Sequence, residues 1–281
     1  MELRKLTQGE HIKTRCLWEE IFTEDTQEFL DYYYTVKVKE NEIYVIEDEG
    51  QIVSMLHLNP YQMRVKDKIC QTHYIVAVAT DEKYRKQGLM RRLLEHTMKV
   101  MTDRGEPFTF LMPASEAIYK PFGFEFIYEQ QREYIVGARC EEEILQVANA
   151  TKKDCQAMAD FANKWLDNYD VATWRDSAYY EMILDEQMSE NGGILIVRQH
   201  SDIVGIFCYA KEEQIEIREP LFENEKILKH AIYCLTGNES ETVLCIGYGT
   251  QATKPMIMAK VLNPEFDLDL KQAKVFINEV V

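Results

Sequence analysis

The stretch from Tyr74 to Gly105 constrains the fold more than any other, because it changes from strand to helix through a basic turn. Tyr74 to Ala79 is a short apolar run rich in β-branched residues, which is typical of an interior strand. From Leu89, apolar residues recur at the spacing of one helical face, and Gly105 stands where such a helix would end. The sequence therefore predicts a strand, a turn and a helix in direct succession.

The turn between this strand and this helix is suited to an anion. Arg85, Lys86, Arg91 and Arg92 are positive and have no acid among them, in a chain of net charge −16. The first-turn amides of a helix have no internal partners and carry the positive end of the helix dipole. Gly88 lets this backbone come close to a ligand. The turn therefore predicts a site for a polyphosphate.

Two motifs together resemble the GNAT acetyltransferase superfamily. Arg-x-x-Gly stands between the strand and the helix, and Ala114 to Phe124 contains Tyr119-x-x-x-Gly123-Phe124. These motifs are similar to the pyrophosphate loop and the late tyrosine of the superfamily, and the resemblance is closest to the enhanced-intracellular-survival group of bacterial acetyltransferases. The sequence departs at Met90, where many members have Gly or Ala. The larger side chain narrows the loop and leaves its amides free.

The resemblance implies that the chain binds acetyl-CoA as its cofactor. It implies that the pantetheine arm pairs with the free backbone of the strand, in the slot between two diverging parallel strands. The residues implied for the arm are Val78, Ala79 and Thr80. Those implied for the pyrophosphate are Arg85, Lys86, Gln87, Gly88, Leu89, Met90 and Arg91, and those implied for a further cofactor contact are Ser115 and Glu116.

Acetyl transfer to an amine needs an acid for the departing thiolate and a base for the amine. Tyr119 is the expected acid, since a phenol of pKa ~10 can protonate a thiolate. The alternative is a tyrosine that only packs beside Pro121 and Phe122. The backbone amide near Val78 is expected to polarise the thioester carbonyl.

The sequence does not identify the base. In relatives of this group the terminal carboxylate reaches the active site, so the resemblance implies a catalytic role for Val281. A water chain through Glu116 is the second possibility, and a terminal strand that ends on the surface is the alternative for Val281.

Tyr32, Tyr33 and Tyr34 form an aromatic cluster in an amphipathic helix. Because the first two helices wall the acceptor site in this superfamily, the resemblance implies that some of these tyrosines contact the substrate. Core packing is the alternative, since helical geometry cannot point three successive rings in one direction.

Composition narrows the function classes. The apolar runs are shorter than the ~20 residues of a membrane span, and Met1 to Glu10 has no apolar signal-peptide core, so a cytoplasmic protein without membrane contact is expected. Seven dispersed cysteines without a C-x-x-C pair are typical of reduced core residues, and the six histidines have no metal-binding spacing. The net charge of −16 argues against nucleic acid and favours cationic amines, or simply solubility.

With 281 residues the chain is long enough for two domains. The resemblance implies an α+β fold with mixed sheets, built as two tandem GNAT-like domains, each with a mostly antiparallel sheet flanked by helices. The predicted boundaries are residues 1–140 for the catalytic domain and 141–281 for a second domain. The second half repeats the element order of the first but lacks Arg-x-x-Gly between a strand and a helix. It is therefore expected to be non-catalytic.

The function that the resemblance implies is direct acetyl transfer from acetyl-CoA to a primary amine on a small molecule or peptide. The rival is a non-catalytic acyl-CoA sensor or scaffold that kept the loop. Assembly into a homo-oligomer is left open.

Overall fold

The computed structural model describes residues 1–141, 144–211 and 214–279. Its helices are α1 Arg15–Ile21, α2 Gln27–Thr35, α3 Leu89–Asp103, α4 Glu116–Tyr119, α5 Cys155–Leu166, α6 Ser177–Ser189 and α7 Glu225–Thr236. Its strands are β1 Glu2–Lys5, β2 Glu42–Asp48, β3 Gln51–Val65, β4 Lys68–Thr80, β5 Phe108–Leu111, β6 Glu125–Val136, β7 Leu145–Asn149, β8 Val171–Thr173, β9 Gly193–Gln199, β10 Asp202–Lys211, β11 Ile215–Phe222, β12 Thr242–Ile246, β13 Ala252–Val261 and β14 Val275–Phe276.

The chain divides into two compact units. The first contains Met1–Tyr128, Asp170–Thr173 and Met256–Val281, and the second contains Glu129–Tyr169 and Trp174–Pro255. This division differs from the predicted one at residue 140, because β13 pairs with β5 and β14 pairs with β8, which joins the end of the chain to the first unit.

In the first unit the strands lie in the order β1-β2-β3-β4-β5-β13. All these neighbours are antiparallel except β4 and β5, which are parallel and are connected through α3. The predicted parallel pair is thus confirmed. α3 buries Leu93, Leu94, Met98 and Met101 on one face, as the periodicity predicts, and Gly105 follows its end at a φ of +78°.

The second unit repeats this plan. Its order is β6-β12-β11-β10-β9-β7, where β11 and β12 are parallel and are connected through α7. α7 packs Ile227, Leu228 and Ala231 into a core with Phe207 and Val243. The predicted α+β class with mixed sheets flanked by helices is confirmed.

Two strands continue through residues that usually interrupt or end a strand. Pro60 does not divide a strand in two, since β3 continues through it and Pro60 stays paired with His73 of β4. The polar stretch after Gln130 is not a linker at its start, because β6 extends to Val136 and pairs with β12. Polar residues on this strand, such as Gln131 and the half-buried Arg132, make it difficult to recognise from the sequence.

Within the described residues, no helix combines the length and the apolar character that crossing a bilayer requires.

Candidate active site

The basic turn lies directly between β4 and α3. Asp81 accepts a hydrogen bond from the backbone of Lys83 at 2.8 Å and so fixes the exit from the strand. Lys86 and Gly88 then have φ values of +64° and +77°. Glycine adopts this region freely, whereas a side chain such as that of Lys86 adopts it at a cost that functional loops tolerate. The loop is exposed, and two of its residues, Lys86 and Gly88, have left-handed backbone conformations.

α3 begins without a side-chain cap. Gly88 occupies the cap position, and no side chain among the described residues hydrogen-bonds the first turn there. A Cβ atom built at Gly88 would meet nothing within 4 Å. The first-turn amides therefore lack a side-chain cap next to a glycine with open space around it, so an anion can satisfy them.

The side chains around the loop divide into two classes. Arg85, Lys86 and Gln87 are exposed, as is Arg91, whose guanidinium lies 4.8 Å from the ring centroid of Phe122. Leu89 is buried in the core, so it can offer a ligand only its backbone. Met90 is half-buried. The predicted loop residues are thus brought together, with positive side chains on the outside.

β4 and β5 diverge beside this loop. Within the described residues they share one pair, Tyr74 with Phe110, after which β4 runs on to Thr80. A bulge interrupts β4, where Ala77 has a φ of +52°. Such a bulge redirects the strand and its amides. The segment that includes Val78, Ala79 and Thr80 therefore extends past the paired part of β5.

Ser54 holds the end of β4 from the other side. Its hydroxyl donates to the carbonyl oxygen of Ala79 at 2.9 Å and lies 2.8 Å from the hydroxyl of Thr80. These contacts fix the strand that leads into the basic turn. They leave the opposite edge of β4 for a ligand that pairs like an added strand.

Tyr119 ends the short helix α4 and is buried, with 6% of its surface exposed. Its ring meets Phe124 edge-on, with centroids 5.9 Å apart. Burial raises the pKa of Tyr119 to about 12, because the phenolate loses hydration. The phenol therefore keeps its proton throughout the physiological pH range.

Ser115 and Glu116, the two residues predicted to make a further cofactor contact, lie at the start of α4. Ser115 is exposed and makes no capping bond there. Glu116 forms an ion pair with Lys120 at 2.6 Å. Cofactor contact by this pair stays a prediction, as does a water chain through Glu116.

The three tyrosines of α2 are buried. The Tyr33 hydroxyl lies 2.9 Å from His57 Nδ1 and accepts from Asn41 Nδ2 at 2.9 Å, and the Tyr34 hydroxyl lies 2.9 Å from that of Thr14. These bonds favour core packing for Tyr33 and Tyr34, and burial raises the pKa of both phenols. Contact of Tyr32, Tyr33 or Tyr34 with a substrate stays a prediction.

Asn278 and Glu279, near the end of the described residues, belong to the first unit. Tyr128 donates to Asn278 Oδ1 at 3.0 Å, and Glu279 is buried with 6% exposed. Burial raises the pKa of Tyr74, and the charges of Tyr119 and Glu279 add to the effect. Val281 lies outside the described residues. Sequence reasoning missed Glu279, because its position depends on the pairing of β14 with β8 and no motif marks it.

A strand that splays from its parallel neighbour, followed by a basic turn and an uncapped helix, is an arrangement that can accept an anionic ligand at the start of the helix. Residues 2–127 match the family model described as the acetyltransferase (GNAT) domain, so this part of the chain is a GNAT acetyltransferase domain. The predicted superfamily is thereby confirmed. A search of curated proteins returned no match to the sequence.

Solved structures agree with this fold. A protein of unknown function from Enterococcus faecalis V583, described as a probable N-acyltransferase, is 16% identical with a TM-score of 0.79, over 94% of this chain and 73% of that one. Eis1 from Mycobacterium abscessus is 9% identical with a TM-score of 0.67, over 94% and 75%. A tandem GNAT protein from the clavulanic acid biosynthesis pathway is 10% identical with a TM-score of 0.60, over 94% and 100%. At these identities the likeness concerns the fold, and it agrees with the predicted tandem architecture.

Proposed function

We propose that this protein is an acetyl-CoA-dependent N-acetyltransferase that transfers the acetyl group directly to a primary amine. The observation that carries the proposal is the uncapped start of α3 directly after Lys86 and Gly88, both with positive φ. An acetyl donor with a diphosphate needs such amides, and Arg85 and Arg91 add positive charge beside them.

Acetyl-CoA would supply the acetyl group as a thioester. The residues of β4 fit the arm of such a donor, since Val78, Ala79 and Thr80 lie on the part of the strand that extends past β5. The backbone amide near Val78 would donate a hydrogen bond to the thioester carbonyl oxygen, which stabilises negative charge there. The bulge at Ala77 provides the local change of direction for that amide.

Tyr119 would hold, on its hydroxyl oxygen, the proton that the departing sulfur needs. Its pKa of about 12 keeps it protonated, and it exceeds the ~8.5 of an ordinary thiol. Transfer is therefore favoured only while the thiolate is also desolvated, which raises the proton affinity of the sulfur. A buried position suits that requirement.

The amine must arrive neutral at the thioester carbon, and its pKa in water is near ~10.4. A base must therefore accept its proton. Val281, as the terminal carboxylate, is our proposal for this base, and the chain's net charge of −16 would help recruit a cationic amine from solution.

The test is to incubate the protein with acetyl-CoA and a panel of polyamines, aminoglycosides and lysine peptides, and to follow release of free thiol and mass of the product. Thiol release that requires one class of amine, with the acetylated amine as product, would support the proposal. Calorimetric binding of coenzyme A without turnover on any amine would instead support an acyl-CoA sensor.

A further inference from the structure

Phe122 follows Tyr119 closely in the chain, and its ring contacts Arg91 of α3. The guanidinium carbon of Arg91 lies 4.8 Å from the centroid of the Phe122 ring. This separation is within the ~6 Å over which a cation and the face of an aromatic ring attract each other. The contact therefore joins the helix that begins at the basic turn to the segment that carries Tyr119.

A tight turn fixes the position of the Phe122 ring. The Gly123 amide donates to the carbonyl oxygen of Lys120 at 2.9 Å, and the Phe124 amide donates to that of Tyr119 at 3.4 Å. Gly123 has a φ of +83°, which glycine adopts without strain. Phe124 is fully buried and packs on Tyr119, whereas Phe122 is only half-buried. The core thus takes the ring of Phe124 and leaves that of Phe122 for the contact with Arg91.

The other contact of Arg91 restrains it weakly. Among the described residues its single ion pair is with Glu95, where Nη1 lies 3.3 Å from Oε1 and both side chains are more than half exposed. An ion pair that water screens in this way contributes little. The Phe122 ring is therefore a second restraint on the guanidinium, and it comes from a different element of the first unit.

Arg91 belongs to the first turn of α3, whose amides have no side-chain cap. This is the turn where the proposed function has the diphosphate of the coenzyme. A long side chain loses rotamer freedom when it contacts a ligand, and that loss weakens binding. Because the Phe122 ring already limits the positions of the guanidinium, less freedom remains to be lost when the ligand arrives.

We propose that Phe122 is a positioning residue for the cofactor, whose ring holds the Arg91 guanidinium ready for the diphosphate of coenzyme A. This inference rests on the proposed function, since it requires the coenzyme to bind at the start of α3. It adds to the cofactor site a residue that lies outside the basic turn. An exposed contact between a cation and a ring corresponds to about twofold to fivefold in affinity.

The experiment measures calorimetric binding of coenzyme A to the full chain as wild type, Phe122→Leu, Arg91→Gln and the double variant. Phe122→Leu should weaken binding by about twofold to fivefold. In the Arg91→Gln background it should have no further effect, because no guanidinium is left for the ring to hold. Phe122→Tyr keeps the ring and should bind coenzyme A within about twofold of wild type.

Arg85→Gln provides the matched control. Arg85 is also a cation of the basic turn, but its Nε donates to the carbonyl oxygen of Thr80 at 3.3 Å, and it contacts no aromatic ring in the described part of the chain. Phe122→Leu should therefore keep its full effect in the Arg85→Gln background. An equal effect of Phe122→Leu with and without Arg91 would overturn the proposal. So would a loss of turnover at unchanged coenzyme affinity, which would mean that the ring supports Tyr119 instead.

A second variant decides the question if Phe122→Leu does not fold. Pentafluorophenylalanine in place of Phe122 keeps an aromatic ring of similar shape but removes the negative charge of its face. It should weaken coenzyme binding at least as much as Phe122→Leu, and an unchanged affinity would overturn the proposal. If the wild-type protein binds no coenzyme A, the proposed function fails and this inference fails with it. If the wild type binds and the effects of Phe122→Leu and Arg91→Gln are additive, only this inference fails.

Discussion

The starts of α3 and α7 are the most instructive comparison in this protein. Each helix connects two parallel strands, β4 to β5 in the first unit and β11 to β12 in the second. α7 is capped by Asn224, whose side-chain oxygen accepts from the amides of Lys226 and Ile227 at 3.1 and 3.3 Å. α3 starts at Gly88 with no such cap. The same topology thus leaves amides open to a ligand in one unit and satisfies them internally in the other.

The strands before these helices differ in the same way. β4 has a positive-φ residue at Ala77, and β11 has one at Glu219, with φ values of +52° and +50°. The Ala77 side chain is a methyl group. Glu219 forms an ion pair with Arg175, which is only 1% exposed. A charged pair therefore occupies the second unit at a position where the first unit carries no functional side-chain group. This difference agrees with a ligand site in the first unit only.

The largest expected effect concerns the proposed acid. Tyr119→Phe should lower kcat by about 10²-fold or more while coenzyme affinity changes little, because general acid catalysis contributes roughly 10²–10⁴-fold. Steady-state kinetics with calorimetry measures both. Tyr134→Phe, at a tyrosine of the second unit that is 53% exposed, is the control and should be neutral. An unchanged turnover in Tyr119→Phe would show that the tyrosine only packs.

Charge reversal tests whether the positive side chains near the start of α3 contribute to coenzyme binding. Arg85→Glu combined with Arg91→Glu should weaken coenzyme A binding by about 10²-fold, since each charge-assisted contact contributes roughly 1.5–3 kcal/mol where it forms. Calorimetry at low and high salt measures the effect, and the wild-type affinity should fall with salt. Lys229→Glu reverses a charge on α7 instead and should not change coenzyme affinity. If the two reversals act equally, only the net charge of the protein matters.

Alanine substitutions at two glycines distinguish the cost of backbone strain from the obstruction of a ligand. Gly88 and Gly237 have φ values of +77° and +74°, and a Cβ atom at either would meet nothing within 4 Å. Gly88→Ala and Gly237→Ala should therefore each lower the free energy of unfolding by about 1 kcal/mol. Only Gly88→Ala should also weaken coenzyme binding, by about tenfold, because its methyl group lies where the diphosphate approaches. Denaturant unfolding and calorimetry on both variants decide this.

The smallest effect is expected at the capped helix. Asn224→Ala should lower the free energy of unfolding by about 1 kcal/mol, since it leaves two first-turn amides of α7 without their acceptor. Acetyl transfer should be unchanged. Chemical denaturation of wild type and variant measures the first, and thiol release measures the second. A loss of turnover that exceeds the loss of folded protein would mean that α7 supports catalysis.

Local patterns determined much of the first unit. The apolar run of β4, the periodicity of α3 and the glycine after it follow from side-chain spacing and backbone freedom, and the structure has them where the sequence predicts. The basic turn also depends only on neighbours in the chain, so Arg85 to Gly88 can be read directly. The first-turn amides of α3 are uncapped for a local reason, namely that Gly88 has no side chain with which to cap them.

Contacts between distant residues were decided by the tertiary structure alone. The sequence has no signal that β13 pairs with β5, that Glu279 is buried in the first unit, or that His73 meets Glu106 across the sheet. Each depends on strands that are far apart in the chain and on which face a residue takes after several pairings. The spacing of residues in the sequence predicts only local structure. The burial and the electrostatic environment of a side chain depend on every part of the folded chain that surrounds it.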